Sequence, residues 1–253
     1  MAYTKIEELQ KELKAMRPLS PTELKRIQEE FIIDDTYNSN AIEGNSLTLR
    51  ETALILKEGI TIGEKPLKDH LEAIGHRDAF EFVISLANAS ASLAEQTIKQ
   101  IHSLVLMNDA THKGIYRDVP IQISGSAHTP PQPYMVPDLV EQLLAEYEQM
   151  KKDCPKSIIE AIAEFHLRFE DIHPFIDGNG RTGRLIMNFE LIKAGLLPVN
   201  IKYADRKEYY ECFDAYFSPE GNRSSAKLCE LISKYEEEEL ERYLDILKSR
   251  KDK

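Results

Sequence analysis

The sequence predicts an all-α protein with one short β-hairpin set into it. Three observations carry this. Apolar residues recur at helical spacing along most of the chain. Capping residues and glycines bracket those stretches. Residues 114–137 break the pattern with glycines, prolines and β-branched side chains.

The elements follow in order. "MAYTKIEELQKELKAM" alternates charged and apolar residues as a helix does and lacks the pattern of a secretory leader. In "SPTELKRIQEEFIIDDTYNSNAIEG", Ser20 is the N-cap, Pro21 the first turn and Glu23 the capping-box partner. Leu24, Ile27 and Phe31 share a face, and Gly44 is the stop. Thr48, Glu51 and Gly59 bracket the next helix in the same way. Further helices are expected over 67–87, from Ser92 and Glu95 to about Met107, over 138–151 and over 157–172. The last of these carries Ile158, Ile162, Phe165 and Phe169 as one stripe. Others follow over 181–195, closed by Gly195, over 205–217 and over 225–249. The acidic run Glu236 to Glu239 reads as a solvated face of that final helix. Between them, Val119 to Ile123 alternate like a strand, and Ser124, Gly125 and Ser126 can turn the chain.

Bulk properties narrow the function. At 253 residues the chain is long enough for a large core without metals or disulfides. A net charge of −11 argues against holding nucleic acid by bulk electrostatics, although a local basic spot can bind a small anion. Cys154, Cys212 and Cys229 are scattered and odd in number, which suits a reducing compartment. No run of about 18 apolar residues suggests a membrane span. A cytoplasmic location is expected.

The chemistry concentrates in "HPFIDGNGRTGR", His173 to Arg184. Pro174 disfavours helical geometry at His173, so a loop should separate two helices there. Its glycines can expose backbone amides at the start of the following helix, where the dipole also favours an anion. Arg181 and Arg184, three apart, are guanidinium forks suited to phosphate. Asp177 beside an anion site makes sense with a bridging Mg²⁺, and His173 can accept a proton near neutral pH. Together these point to transfer of a phosphate-containing group to a hydroxyl.

The stretch resembles the signature of the Fic family, HPFx[D/E]GNGRxxR, at every defined position. The resemblance implies a Fic-type helical bundle with its core at 67–217. An N-terminal helical region, 1–60, precedes it and a C-terminal helix, 218–253, follows. It implies transfer of AMP from ATP to a Ser, Thr or Tyr hydroxyl of a protein, including the enzyme itself. His173 would be the base and Asp177 the Mg²⁺ ligand. Gly178, Asn179 and Gly180 would form the anion hole, within an ATP-binding stretch that runs on through Thr182 and Gly183. Arg181 and Arg184 would hold the phosphates, with Arg184 on the γ-phosphate. Tyr209 and Tyr210 match a tyrosine pair near the base, while Phe217 stands where some relatives carry a polar residue. Ile121, Gln122, Ile123, Ser124, Gly125 and Ser126 resemble the flap that docks the target as an added strand.

"SNAIEGN", Ser39 to Asn45, resembles the family's inhibitory motif, [S/T]xxxE[G/N]. Four residues apart, Ser39 and Glu43 share a helix face. Glu43 is expected to reach Arg184 bidentately and displace the γ-phosphate. Other readings stay open: transfer of UMP or phosphocholine, removal of AMP, or a non-catalytic nucleotide-binding regulator. A homodimer is possible. His128, His166 and His173 fit no zinc spacing, and His70, His76, His102 and His112 read as ordinary structural residues.

Overall fold

The computed structural model describes residues 2–16, 18–123, 128–153, 158–218 and 223–249. The helices are α1 (Ala2–Ala15), α2 (Pro21–Ile42), α3 (Leu49–Glu58), α4 (Leu67–Asn88), α5 (Glu95–Val105), α6 (Val136–Asp153), α7 (Ile158–Ile172), α8 (Asn179–Lys193), α9 (Arg206–Phe217) and α10 (Ala226–Lys248). Single 3₁₀ turns precede α6 and α9. Among the described residues, no helix is long and apolar enough to cross a membrane.

The caps explain where the N-terminal helices start. Ser20 Oγ accepts from the Glu23 amide at 3.3 Å, and the Glu23 carboxylate accepts from the Ser20 amide at 2.8 Å. Thr48 and Glu51 repeat the exchange at the start of α3. Gly44 and Gly59 take positive φ at the helix ends. Of the expected α2 stripe, Ile27 and Phe31 are buried, but Leu24 is 40% exposed. Helix α5 starts at Glu95 with Ala94 as its cap, and Ser92 instead accepts from Thr97 Oγ1 through its carbonyl.

Helix α8 is the axis of the fold. From Arg181 to Leu191 every side is buried, because α4, α5 and α7 flank it and α2 crosses its start. One apolar core joins Phe31 and Ile32 of α2, Phe80 and Val83 of α4, Leu167 and Phe169 of α7, Leu185 and Phe189 of α8 and Leu231 and Ile232 of α10. Ile6 of α1 also reaches it, and α1 is tied along α10 by ion pairs from Lys5 to Glu237 and from Lys248 to Glu12, both at 2.9 Å.

Two expectations are corrected. The hairpin is not formed among the described residues: no strand is assigned, and Val119 to Ile123 are irregular. Ser124, Gly125 and Ser126 lie outside the described residues. Pro120 has no amide to donate to a ladder, and Arg117 takes the carbonyls of Val119 and Pro131 at 3.3 and 2.6 Å. The acidic run of α10 is not a uniformly solvated face either. Glu236 is fully buried and accepts from the Leu197 amide at 3.0 Å, and burial pushes its carboxyl up to about 8. Cys212 and Cys229 are buried, and Cys154 lies outside the described residues.

Candidate active site

Helix α7 ends against Pro174, and His173 closes it with its amide on Phe169 at 3.0 Å. His173 has a φ of +48°, a left-handed conformation costly for a residue with a side chain. Arg117 fixes it there. Its Nε donates to the His173 carbonyl at 2.9 Å, and its amide donates to the Pro174 carbonyl at 3.0 Å.

The loop behind His173 is braced from inside. Asn179 spends its side chain on Phe175, accepting from the amide at 2.8 Å and donating to the carbonyl at 2.9 Å. Any share it has in an anion hole is therefore its backbone amide. This bracing also lets α8 start at Asn179, two residues earlier than the sequence suggests. Phe175 stacks flat on His102 with ring centroids 3.6 Å apart. His102 accepts from the Gly114 amide through Nδ1 at 2.8 Å and so donates to the Asp177 carbonyl through Nε2 at 2.9 Å. Burial lowers its pKa to about 4, so it stays neutral. His102→Ala is expected to cost about 3 kcal/mol of stability by opening a cavity and stranding two backbone groups. Denaturant unfolding measures this; an unchanged midpoint would show that the loop holds itself.

Gly178, with φ +77°, caps α8 without any side-chain acceptor, which leaves the first amides of the helix open. Glu43 lies at that place: a Cβ built on Gly180 would fall 2.3 Å from Glu43 Oε1. The cap residue of α2 thus puts its carboxylate over the first turn of α8. Thr182 is fully buried, and Gly183 lies under α7, where a Cβ would meet Glu170 Oε1 at 2.7 Å.

Both arginines are buried and already engaged. Arg184 Nη2 donates to Glu43 Oε1 at 2.8 Å. The grip is not the bidentate one expected: Glu43 takes one hydrogen of Nη2, and Ser39 takes Nε and the other hydrogen of Nη2. Arg184 Nε donates to Ser39 Oγ at 3.0 Å and Nη2 to the Ser39 carbonyl at 2.8 Å. Burial works against the Arg184 charge, but the Glu43 carboxylate and the Tyr209 hydroxyl together outweigh it and raise its pKa above the ordinary value. Arg181 Nη1 meets Glu72 Oε1 at 3.1 Å and Asn40 Oδ1 at 3.3 Å, and Nη2 lies 3.4 Å from Asp177 Oδ1. Asp177 is half exposed, with Oδ1 on the Gly178 amide at 2.6 Å and Oδ2 4.0 Å from Lys68.

Around this centre, Tyr209 is buried, with its hydroxyl 2.7 Å from His166 Nε2 and its ring beneath the Arg184 guanidinium. Tyr210 is half exposed and donates to the Ile42 carbonyl at 3.1 Å, on the last turn of α2. His128 stacks on Phe217 at 4.3 Å. Burial brings His173 down to about 4. Glu170, whose Oε2 is 3.6 Å from His173 Nδ1, is pushed up to about 8, by burial first and the Glu43 charge second. Sequence reasoning misses Glu72, Asn40, His102, Arg117 and Glu170 as site residues. Asn40 lies inside the quoted "SNAIEGN", which is the one sequence cue among them.

Fold and site define a helical protein with uncapped amides at a buried helix start, two buried arginines beside it and one of its own carboxylates laid over it. The family model described as Fic/DOC family matches residues 92–191. "Protein adenylyltransferase Fic" of Nematostella vectensis is 37% identical over 198 residues, 77% of this chain and 45% of that protein. "Protein adenylyltransferase fic-1" of Caenorhabditis elegans is 30% identical over 237 residues, 91% of this chain and 45% of that protein. A Fic domain containing signaling protein from Bacteroides thetaiotaomicron superposes with a TM-score of 0.87 at 27% identity, covering 97% of each chain. This chain belongs to the Fic/DOC family. It spans less than half the length of these two curated relatives.

Proposed function

We propose that the chain is a protein adenylyltransferase that moves AMP from ATP to a Ser, Thr or Tyr hydroxyl of a protein, itself included, and that Glu43 restrains it. The observation that carries this is the contact between Glu43 and Arg184 at 2.8 Å over the open start of α8. A carboxylate lies where the site is built to take phosphate. The names of the curated relatives support the same activity.

In this reading the triphosphate lies over the amides of Gly178, Asn179 and Gly180, between Arg181 and Arg184. The target hydroxyl oxygen forms a bond to the α-phosphorus, the bond from that phosphorus to the β-bridging oxygen breaks, and pyrophosphate leaves. His173 Nε2 takes the hydroxyl proton. The left-handed turn at His173 and the Arg117 bonds hold the imidazole at the mouth of the loop. Tyr210 lies beside α2 where the adenine would sit, while Tyr209 backs Arg184 from within the core. The flap at Ile121 to Ser126 would hold the acceptor segment in line.

Asp177 would hold Mg²⁺. The fit rests on its donor chemistry: Asp177 is a half-exposed carboxylate on the cradle, with Oδ2 facing Lys68 only at 4.0 Å. No group of three His, Cys, Asp or Glu residues that could hold a metal exists among the described residues. One carboxylate with phosphate oxygens and water is the usual way Mg²⁺ is held. The ion would neutralise charge developing on the phosphates.

The test is intact-mass spectrometry of the Glu43→Gly protein after separate incubation with ATP, UTP, GTP and CTP. A gain of one AMP mass with ATP alone is expected. Label from another nucleotide would reassign the donor, and no label from any would leave a nucleotide-binding regulator as the better reading.

A further inference from the structure

Arg181 poses a question that the transfer reading does not answer. An arginine meant for phosphate is 2% exposed and already paired with Glu72, a carboxylate that is itself only 6% exposed. An anion next to an anion-binding arginine weakens it unless the pairing serves something else.

The other oxygen of Glu72 shows what. Glu72 Oε2 accepts from Asn45 Nδ2 at 2.9 Å. Asn45 is two residues beyond Glu43, in the turn that ends α2. Asn45 holds that turn in three further ways, two through its side chain and one through its backbone amide. Nδ2 also donates to the Asp69 carbonyl at 3.1 Å, Oδ1 accepts from the Leu47 amide at 3.0 Å, and the Asn45 amide donates to the Asn40 carbonyl at 3.0 Å. Ser46 follows with its amide and hydroxyl on Asp69 Oδ2 at 2.8 and 2.6 Å. The end of the inhibitory helix is therefore docked on α4 through Asp69 and Glu72, three residues apart on one helix.

Resting on the adenylyltransferase reading, we infer that Glu72 is a positioning residue with two duties: it orients the Arg181 guanidinium for phosphate, and it anchors the turn that aims Glu43 at Arg184. The first duty follows from geometry. Arg181 Nη1 is held by Glu72 and Asn40, which leaves the Nη2 edge directed to the loop by Asp177. A charged partner also meets the cost of burying the guanidinium, and a fixed fork loses less freedom on taking phosphate. The second duty follows from the short path of Glu72, Asn45 and Glu43. Release of the turn would leave Glu43 held only from α2 and by its own bond to Arg184.

Two readouts separate the duties, and neither needs turnover. One is ATP affinity by titration calorimetry in the Glu43→Gly protein. The other is amide hydrogen exchange over residues 39–46 in the otherwise unaltered chain. In the Glu43→Gly protein, Glu72→Gln is expected to weaken ATP about fivefold or more. Glu72→Asp, which keeps the charge, should recover part of that loss, and Asn45→Ala should leave the affinity nearly unchanged. In the otherwise unaltered chain, both Glu72→Gln and Asn45→Ala are expected to speed exchange over 39–46 about tenfold while α6 stays protected. Unchanged ATP affinity in Glu72→Gln overturns the first duty. Unchanged exchange in Asn45→Ala overturns the second. Equal acceleration in all helices would mark Glu72 as a general stability residue and overturn both. A labelling assay on the same Glu43→Gly protein reports on the transfer reading independently, so binding without transfer would sink that reading and leave this one tested.

Discussion

Replacing Glu43 with glycine is expected to raise AMP transfer about thirtyfold to a hundredfold. The gain is the cost ATP no longer meets in displacing a carboxylate from Arg184. Breaking a fully buried pair costs roughly 3–5 kcal/mol, but the Glu43 side chain is 37% exposed, which argues for about 2 to 2.7 kcal/mol, a factor of roughly 30 to 100. Arg184 should not collapse when Glu43 is gone, because Ser39 still holds it through its hydroxyl and its carbonyl. The check is the initial rate of labelling from ATP at matched protein concentration. A rise of less than about threefold would mean that Glu43 is a cap residue and not a restraint.

The second large effect is at His173. In the Glu43→Gly background, His173→Ala should lower the labelling rate about a thousandfold, the usual scale for removing a general base. The pH profile adds a test that a structural role would not pass. Burial disfavours the imidazolium and holds His173 near 4 while Glu43 is in place. The sign is then set: the base is neutral and competent through neutral pH, and activity falls only as acid protonates it. Removing Glu43 takes away a charge that raised this pKa, while the triphosphate brings such a charge back. The acid limb of the Glu43→Gly protein is therefore expected below about pH 6.5, the value for an unperturbed histidine. A limb above that pH, or residual transfer in His173→Ala above about a tenth of the parent rate, would assign the proton to another group.

The helical frame is legible in the sequence because its signals are local. Ser20 with Glu23, Thr48 with Glu51, and Gly44 and Gly59 act within one turn of the residues they cap. The loop is legible for the same reason, since His173 to Arg184 is one continuous stretch. Glu43 is found through the resemblance of Ser39 to Asn45 to the family's inhibitory motif. What the sequence hides is contact between distant segments. Glu72 lies 109 positions before Arg181 and has no pattern of its own. His102 looks like any helical histidine until Asp177, 75 residues away, is laid against it. The same limit explains the errors. Glu236 reads as solvated because nothing nearby in sequence reveals that Leu197 will cover it. The strand-like alternation before Ser124 is overridden by Arg117, which takes the carbonyls a ladder would need. The bidentate clamp expected at Arg184 gives way to a shared one, in which Ser39 accepts from Nε and from Nη2 beside Glu43.

The left-handed backbone at His173 has an evolutionary consequence. A side chain in that conformation is a standing cost to folding, which a glycine there would relieve. The inactive protein is thus the easier one to fold, and a copy of this gene released from the need to react would drift away from histidine at this position without resistance from the scaffold. Keeping His173 requires continuous selection on chemistry, which the core residues around it do not.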